Sequence, residues 1–222
     1  MTVPVITIDG PSGAGKGTIA RRVAEALGYH LLDSGALYRL TAISAANADI
    51  ALDNAPELAR LARHLDVEFD SNDDGSERIS LSGRDVTRQV RRESTGTNAS
   101  KVAAIPAVRE ALLERQRAFQ VAPGLVADGR DMGTQVFPAA ALKIFLTASA
   151  EERARRRHKQ LKDKGMDVSL AALSRDIEVR DQRDSERSVA PLRPAGDARI
   201  LDSSGKSIEA VTQTVLDWVA EL

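Results

Sequence analysis

One segment constrains this chain more than any other. Gly10-Pro11-Ser12-Gly13-Ala14-Gly15-Lys16-Gly17-Thr18 follows a short β-branched run, Val5-Ile6-Thr7-Ile8, and opens a helical pattern with Ile19, Val23 and Leu27 at i, i+4, i+8. Gly28 stands at the C-cap position of that helix. Strand, glycine-rich loop and helix form the first half of a βαβ unit. The glycines let backbone N–H groups converge on phosphate oxygens, the helix N-terminus adds partial positive charge, and Lys16 is in reach of β and γ phosphates. The segment departs from the strict phosphate-loop pattern at Gly17, where Ser or Thr would follow the lysine. The hydroxyl that would reach a magnesium ion is thereby displaced to Thr18, which weakens its assignment as a ligand.

Further strands are expected at 31–32, 125–128, 142–147 and 199–202, with helical stretches between them. The strands should therefore lie parallel in one sheet with helices on its faces. Ile208, Val211, Val215, Val219 and Leu222 form a final amphipathic helix that should pack on the sheet. Two regions break this rhythm. Between about 65 and 92, Val67-Glu68-Phe69 and Ile79-Ser80-Leu81 flank Asn72-Asp73-Asp74-Gly75, a hairpin signal. It reads as a small antiparallel insert, too short for its own core. The other is 151–165, which carries Arg153, Arg155, Arg156, Arg157, Lys159, Lys162 and Lys164. Ser149 and Glu152 are spaced as a capping box at its start.

Composition excludes several chemistries. With no Cys there is no disulfide, thiolate zinc site or thiol nucleophile, and three His without ligand spacing make a His-rich zinc site a poor prospect. No apolar run approaches a membrane span, and 1–9 lacks the features of a signal peptide. The expectation is a soluble cytoplasmic protein. The formal net charge of −1 hides a bias of 24 Arg against 7 Lys, which suits bidentate phosphate recognition or reflects an Arg-heavy genome. A chain that is not basic overall and has few aromatic stacking platforms argues against a nucleic-acid partner.

Candidate site residues collect at the carboxyl ends of the expected strands, where open α/β sheets bind ligands. Asp128 ends an apolar strand, as a magnesium-associated carboxylate would, or as an ordinary turn starter. Arg130 and Asp131 follow it directly. Ser34 and Arg39 come just after the second strand, and are equally readable as a helix cap and a solvated face. Arg180, Asp184 and Arg187 fall at i, i+4, i+7, on one face of a helix that could be simply salt-bridged and exposed. Arg153 and Arg157 share a face at i, i+4; they are cations that close over a transferring phosphoryl group, or a solvated basic helix.

Taken together, 10–18, Leu32-Asp33-Ser34-Gly35-Ala36-Leu37-Tyr38-Arg39, Ala127-Asp128-Gly129-Arg130-Asp131-Met132-Gly133-Thr134 and 180–191 resemble the bacterial cytidylate kinases. The resemblance covers essentially the whole chain and includes the β-rich insert. It implies a single α/β domain of the P-loop kinase fold: a five-stranded parallel sheet flanked by helices. The core would occupy about 1–33, 101–150 and 166–222. A monophosphate-binding region with its β insert would span about 34–100, and a short helical lid about 151–165. It implies transfer of the γ-phosphoryl of ATP, with Mg²⁺, to CMP or dCMP, by a monomer without membrane or nucleic-acid partners. In that pattern Lys16, Arg130, Arg153 and Arg157 are the catalytic set, and Gly10, Pro11, Ser12, Gly13, Ala14, Gly15, Lys16, Gly17 and Thr18 bind ATP. Ser100, Arg109 and Asp131 address cytosine; Arg39, Arg130 and Arg187 hold the acceptor phosphate, with Ser34 in the same pocket. Arg180 and Asp184 meet the sugar, and Thr18 and Asp128 meet the magnesium. Two rivals remain open: a kinase of the same core acting on a sugar or shikimate, which needs no carboxylate beside Arg130, and a non-catalytic nucleotide switch, which needs no paired lid arginines.

Overall fold

A computed structural model describes residues 3–71, 77–163 and 168–222. In chain order the elements are β1 (Val5–Asp9), α1 (Lys16–Leu27), β2 (His30–Asp33), α2 (Ser34–Asn47), α3 (Ala55–Arg63), β3 (Val67–Ser71), β4 (Glu77–Leu81), β5 (Arg84–Asp85), α4 (Thr87–Val90), α5 (Glu93–Val102) and α6 (Pro106–Arg117). There follow β6 (Leu125–Gly129), a π-helical turn (Met132–Val136), β7 (Leu142–Thr147), α7 (Ala150–Asp163), α8 (Leu170–Ser185), β8 (Arg199–Asp202) and α9 (Ile208–Ala220). They divide into two compact units, Met1–Asp33 with Gln116–Leu222, and Ser34–Arg115.

The first unit holds a five-stranded sheet in the order β2-β6-β1-β7-β8. Every pairing is parallel, as the alternation of strand and helix patterns requires. The chain leaves β1 through α1 and returns two positions away, and β6 fills the place left between β2 and β1. That insertion sets Ile8 beside Asp128 and Asp9 beside Gly129 on one side, with Asp9 beside Phe145 on the other. All of β1 is buried. Ile6 and Ile8 share one face with Ile144, Leu146 and Val126, where Ile19 and Val23 of α1 and Val211 and Val215 of α9 pack. Burying each such side chain is worth about 1.5–3 kcal/mol, and this face carries much of the unit's stability. On the opposite face the π-helical turn approaches closely: a Cβ on Gly133 would lie 2.9 Å from Thr7 Oγ1.

The second unit is helical around a three-stranded antiparallel sheet, β3-β4-β5. The expected pairing of 67–69 with 79–81 is found, with Val67 opposite Leu81 and Phe69 opposite Ile79. The expected turn at 72–75 lies outside the described residues. A third strand, β5, escaped the sequence reading. It is reached through Ser82 and Gly83, both at positive φ (50° and 72°). That backbone suits the tight turn of a two-residue hairpin loop, and Ser-Gly is a weaker signal for it than Asn-Gly. Leu37 and Leu40 of α2, Leu58 of α3, Ile79 of β4 and Leu112 of α6 are fully buried.

The capping box forms by half. Ser149 Oγ accepts from the Glu152 N–H at 3.2 Å, but the Glu152 carboxylate turns away to Arg156, 3.0 Å from its Nε. The N–H of Ser149 donates instead to Ser204 Oγ at 3.1 Å. A long-range partner and a charged neighbour displaced the local reciprocal bond.

Gly10 is the tightest position in the first unit: at φ 148°, a Cβ there would lie 2.0 Å from the Leu146 carbonyl oxygen. Gly28 also has positive φ, at 65°, but a Cβ would meet nothing within 4 Å. Gly28→Ala should therefore cost about 1–2 kcal/mol of unfolding free energy, the strain of a left-handed backbone alone, whereas Gly10→Ala should not yield a stable fold. Denaturant midpoints of the two variants check this. Equal losses would mean that backbone strain rather than crowding governs both sites.

Candidate active site

Residues 10–18 run from the end of β1 to the start of α1, and three of their carbonyls are held by side chains, one from Lys16 within the segment and two from elsewhere in the chain. Lys16 Nζ donates to the Pro11 carbonyl at 2.9 Å. Arg153 Nη1 donates to that of Ser12 at 3.0 Å. Arg156 Nη1 and Ser203 Oγ donate to that of Ala14 at 3.4 and 3.2 Å. Gly15, at φ 95°, precedes α1 without any side-chain cap. The first-turn N–H groups and their dipole therefore belong to the loop, which favours an anion there. A Cβ on Gly13 would meet Arg153 Cβ at 3.2 Å, and one on Gly17 would meet Asp128 Oδ2 at 3.2 Å. The glycine that breaks the strict motif thus makes room for the strand-ending carboxylate. Thr18 is exposed one residue further on.

Lys16 is not solvent-facing, as a helix-start lysine would be; it is 5% exposed and lies 4.0 Å from Asp128 Oδ1. Burial, aided by the charges of Arg130 and Arg180 and opposed by Asp128 and Asp9, lowers its pKa from 10.5 to about 7. Asp9, at the end of β1, is pushed up to about 7 by burial, against the lowering effect of N–H groups from Gly133 and Met132.

A second cluster centres on Asp184 of α8. Its Oδ2 accepts from Arg130 Nε at 3.0 Å, and its Oδ1 pairs with Arg187 Nη2. Burial opposes ionisation of Asp184, but Arg130, Arg187 and Arg180 outweigh it and hold the carboxyl below the usual range. The salt bridges are therefore present but lie on the buried face of the helix: Asp184 is 1% accessible. Arg187 lies past the end of α8, reaching back from beyond the C-cap residue Glu186. Arg153 is buried too, with its guanidinium 2.6 Å from Asp181 Oδ2 and donating to the Ala148 carbonyl at 3.1 Å. Arg157 bonds within its own helix, to Gln160 Oε1 at 3.3 Å. So the two lid candidates differ: Arg153 is buried and bonded to the loop, whereas Arg157 is half-buried and bonds to a neighbour on its own helix. Asp131 is buried at the start of the π-helical turn. Lys164 and Gly165 of the expected lid lie outside the described residues.

Ser34, Arg39, Ser100 and Arg109 belong to the second unit. Ser34 and Ser100 are buried. Arg39 Nη1 donates to the Val90 carbonyl at 2.8 Å. Arg109 donates to the Ala103 carbonyl at 3.1 Å, with its guanidinium 5.6 Å from the centre of the Tyr38 ring. These contacts fix both arginines by their stems and one edge.

Three residues of the first unit were missed from sequence. Arg156 ties the loop to Ser203, donating to its Oγ at 3.0 Å and its carbonyl at 2.6 Å. Asp181 anchors Arg153, and Asp9 anchors the π-helical turn. Arg156 stood among four arginines in five positions, with nothing local to single it out, and no local spacing ties Asp9 to the turn at 132–136.

Against known proteins, the family described as cytidylate kinase matches residues 6–221. The chain belongs to the cytidylate kinase family. A cytidylate kinase of Pseudomonas paraeruginosa is 62% identical over 215 residues, covering 96% of this chain and 94% of that protein. One of Stutzerimonas stutzeri is 61% identical over 220 residues, covering 99% and 96%. Among solved structures, an uncharacterised protein from Eubacterium ventriosum is 10% identical, with a TM-score of 0.50 over 99% of each chain, a likeness of fold alone. Among the described residues no helix is long and apolar enough to cross a membrane, and no three His, Cys, Asp or Glu gather as a metal cage.

An oxyanion arriving at Lys16 restores the charge that burial removes. With a pKa of about 7, Lys16 is largely neutral at pH 8, so binding of tripolyphosphate at that pH should take up protons. Calorimetric heats in two buffers of different ionisation enthalpy should diverge more for the parent protein than for Lys16→Met. Equal divergence would mean that Lys16 keeps its proton in the free protein.

Proposed function

We propose that this chain transfers the γ-phosphoryl of ATP to CMP and dCMP, giving CDP and dCDP, with 10–18 holding the ATP phosphates. The match to the cytidylate kinase family over residues 6–221 carries this reading. The local chemistry supports it. Phosphoryl transfer asks the protein for in-line positioning and distributed positive charge rather than covalent chemistry; Arg130 and Arg153 are half-buried and buried cations fixed by named partners, and Lys16 is a buried amine whose charge an incoming anion favours. No general base is required, because the acceptor phosphate is already largely a dianion near neutral pH.

The individual roles complete the proposal. Lys16 meets the transferring phosphoryl oxygens, and Arg130, Arg153 and Arg157 neutralise the charge that spreads over them. Arg39, Arg130 and Arg187 hold the acceptor phosphate, with Ser34 beside it. Arg180 and Asp184 address the sugar, and Ser100, Arg109 and Asp131 the base. Residues 34–100 serve as the monophosphate-binding region and 151–165 as the lid. Thr18 and Asp128 would hold Mg²⁺. They are hard oxygen donors, the side-chain-free Gly17 leaves the Asp128 carboxylate its space, and a magnesium ion that also binds substrate phosphates needs only one or two protein ligands. Bound there, the ion would shield charge on the β and γ oxygens. One chain carries every residue named, so the proposal needs no partner subunit; its substrates are cytoplasmic metabolites, and cytoplasmic action belongs to it.

Coupled turnover with CMP, dCMP, UMP, AMP and shikimate tests the activity; shikimate or AMP as the preferred acceptor would sink it. Within it, Lys16→Met should lower kcat by at least a hundredfold, about 2.7 kcal/mol, with the far-ultraviolet dichroism unchanged. A kcat within tenfold of the parent would remove the loop from catalysis.

Asp131 should help to choose the base. Cytosine presents an exocyclic amine where uracil presents a carbonyl. A carboxylate accepts from the first and repels the lone pairs of the second, and a buried polar group left unpaired discriminates strongly. Asp131→Ala should cut kcat/KM for CMP at least tenfold, about 1.4 kcal/mol, and cost UMP much less. An unchanged CMP:UMP ratio would assign Asp131 to orienting Arg130 instead.

A further inference from the structure

Asp9 has no role assigned above beyond its charge near Lys16, yet both of its carboxylate oxygens accept hydrogen bonds. It is 5% exposed; Oδ1 accepts from the Met132 N–H and Oδ2 from the Gly133 N–H, each at 2.8 Å. Those donors open the π-helical turn Met132–Val136, whose cap position is Asp131. First-turn N–H groups have no partner within their own turn, and the ordinary remedy is the side chain of the cap residue, with Asp among the most favoured. Asp131 is that residue type in that place, and its side chain makes no capping hydrogen bond. Its backbone carbonyl instead closes the turn, accepting from Gln135 N–H at 2.9 Å. A carboxylate reached from β1, 123 and 124 positions away in sequence, has taken over the capping task.

We propose that Asp9 is a positioning residue for base selection: by capping the turn from β1, it releases the Asp131 carboxylate from that task and sets it toward the acceptor base. This rests on the reading of Asp131 as the base-selecting carboxylate. Asp9 is an expensive choice of cap, since burial pushes its pKa up to about 7 with Asp131 adding to the rise. Register supports the geometry: Asp9 pairs with Gly129, so its carboxylate is anchored to the same strand end that delivers Arg130 and Asp131.

The test is Asp9→Asn, which keeps the size but offers one accepting oxygen and sets an amide N–H against the other donor. The turn then competes for Asp131 as its cap. The kcat/KM ratio of CMP to UMP should fall at least threefold through a raised KM for CMP, with the KM for ATP within twofold of the parent. In an Asp131→Ala background the same substitution should leave the ratio unchanged, because the two act through one carboxylate. A lowered melting temperature with the ratio intact overturns the proposal and makes Asp9 a structural cap only. So does a further fall of the ratio in the double variant. If Asp131→Ala alone leaves the ratio unchanged, the base reading fails and the proposal falls with it. If Asp131→Ala collapses the ratio and Asp9→Asn does not, the inference alone fails. Asp9→Ser, with one hydroxyl acceptor, is read the same way should Asp9→Asn not fold; failure of both to fold overturns the proposal.

Discussion

The chain beyond Asp9 must turn in the space between two neighbouring strands, and the rest of the first unit is arranged around that turn. Gly10 lies so close to the Leu146 carbonyl that no side chain fits. Gly13 gives way to the stem of Arg153, and Gly17 to the carboxylate of Asp128. Each missing Cβ admits something from another part of the chain. The loop is therefore less a flexible glycine-rich segment than a template with the shape of its neighbours. Its carbonyls are taken by Lys16, Arg153, Arg156 and Ser203, which fixes the backbone without using its N–H groups. Those groups carry the electrostatic preference for an anion.

Charge is stored beside this template in compensated form. Asp184 holds Arg130 and Arg187, and Asp181 holds Arg153. Buried ion pairs of this kind contribute little net stability, because desolvation offsets much of their attraction. Their effect is geometric: guanidinium groups are kept at set positions before any ligand arrives, which lowers the reorganisation a transferring phosphoryl group would demand. Lys16 and Asp9 stand at the other extreme. Burial weakens the ionised form of both, a cost to the free protein that an incoming anion relieves at Lys16.

Much of this was legible in the sequence. All five parallel strands appear at the expected places, because buried parallel strands read as short apolar runs between helical patterns. The phosphate loop, the Asp128 carboxylate one residue before the end of β6 and the acidic–basic helix α8 were visible as motifs with local spacing. Less legible were partners that local spacing does not encode. The box expected of Ser149 and Glu152 formed by half, because Arg156 and Ser204 offered better partners. Arg153 and Arg157 looked equivalent at i, i+4, yet one is buried against Asp181 and the other is half-buried and bonds to Gln160 of its own helix. β5 was missed because two residues carry no periodicity. The burial of Lys16 was not legible either, since nothing near it in sequence says that Asp128 will lie beside it.

Sequence alone determined what is set within a few residues. The phosphate loop follows from glycine's freedom at positive φ and from the helix that begins at Lys16. The sheet follows from short apolar runs alternating with helical patterns, the arrangement of parallel strands joined by helices, and the chemistry is restricted by the absence of cysteine and the abundance of arginine. Tertiary structure decided the strand order, and with it the neighbours of β1. Because β6 rather than β2 lies against β1, Asp128 comes beside Lys16, and Asp9 reaches the turn that starts at Asp131. Strand order is a choice among packings of similar local quality. The physical reason it escapes the sequence is that hydrogen bonding between strands is the same for any apolar partner, and only the summed fit of side chains on both faces selects one.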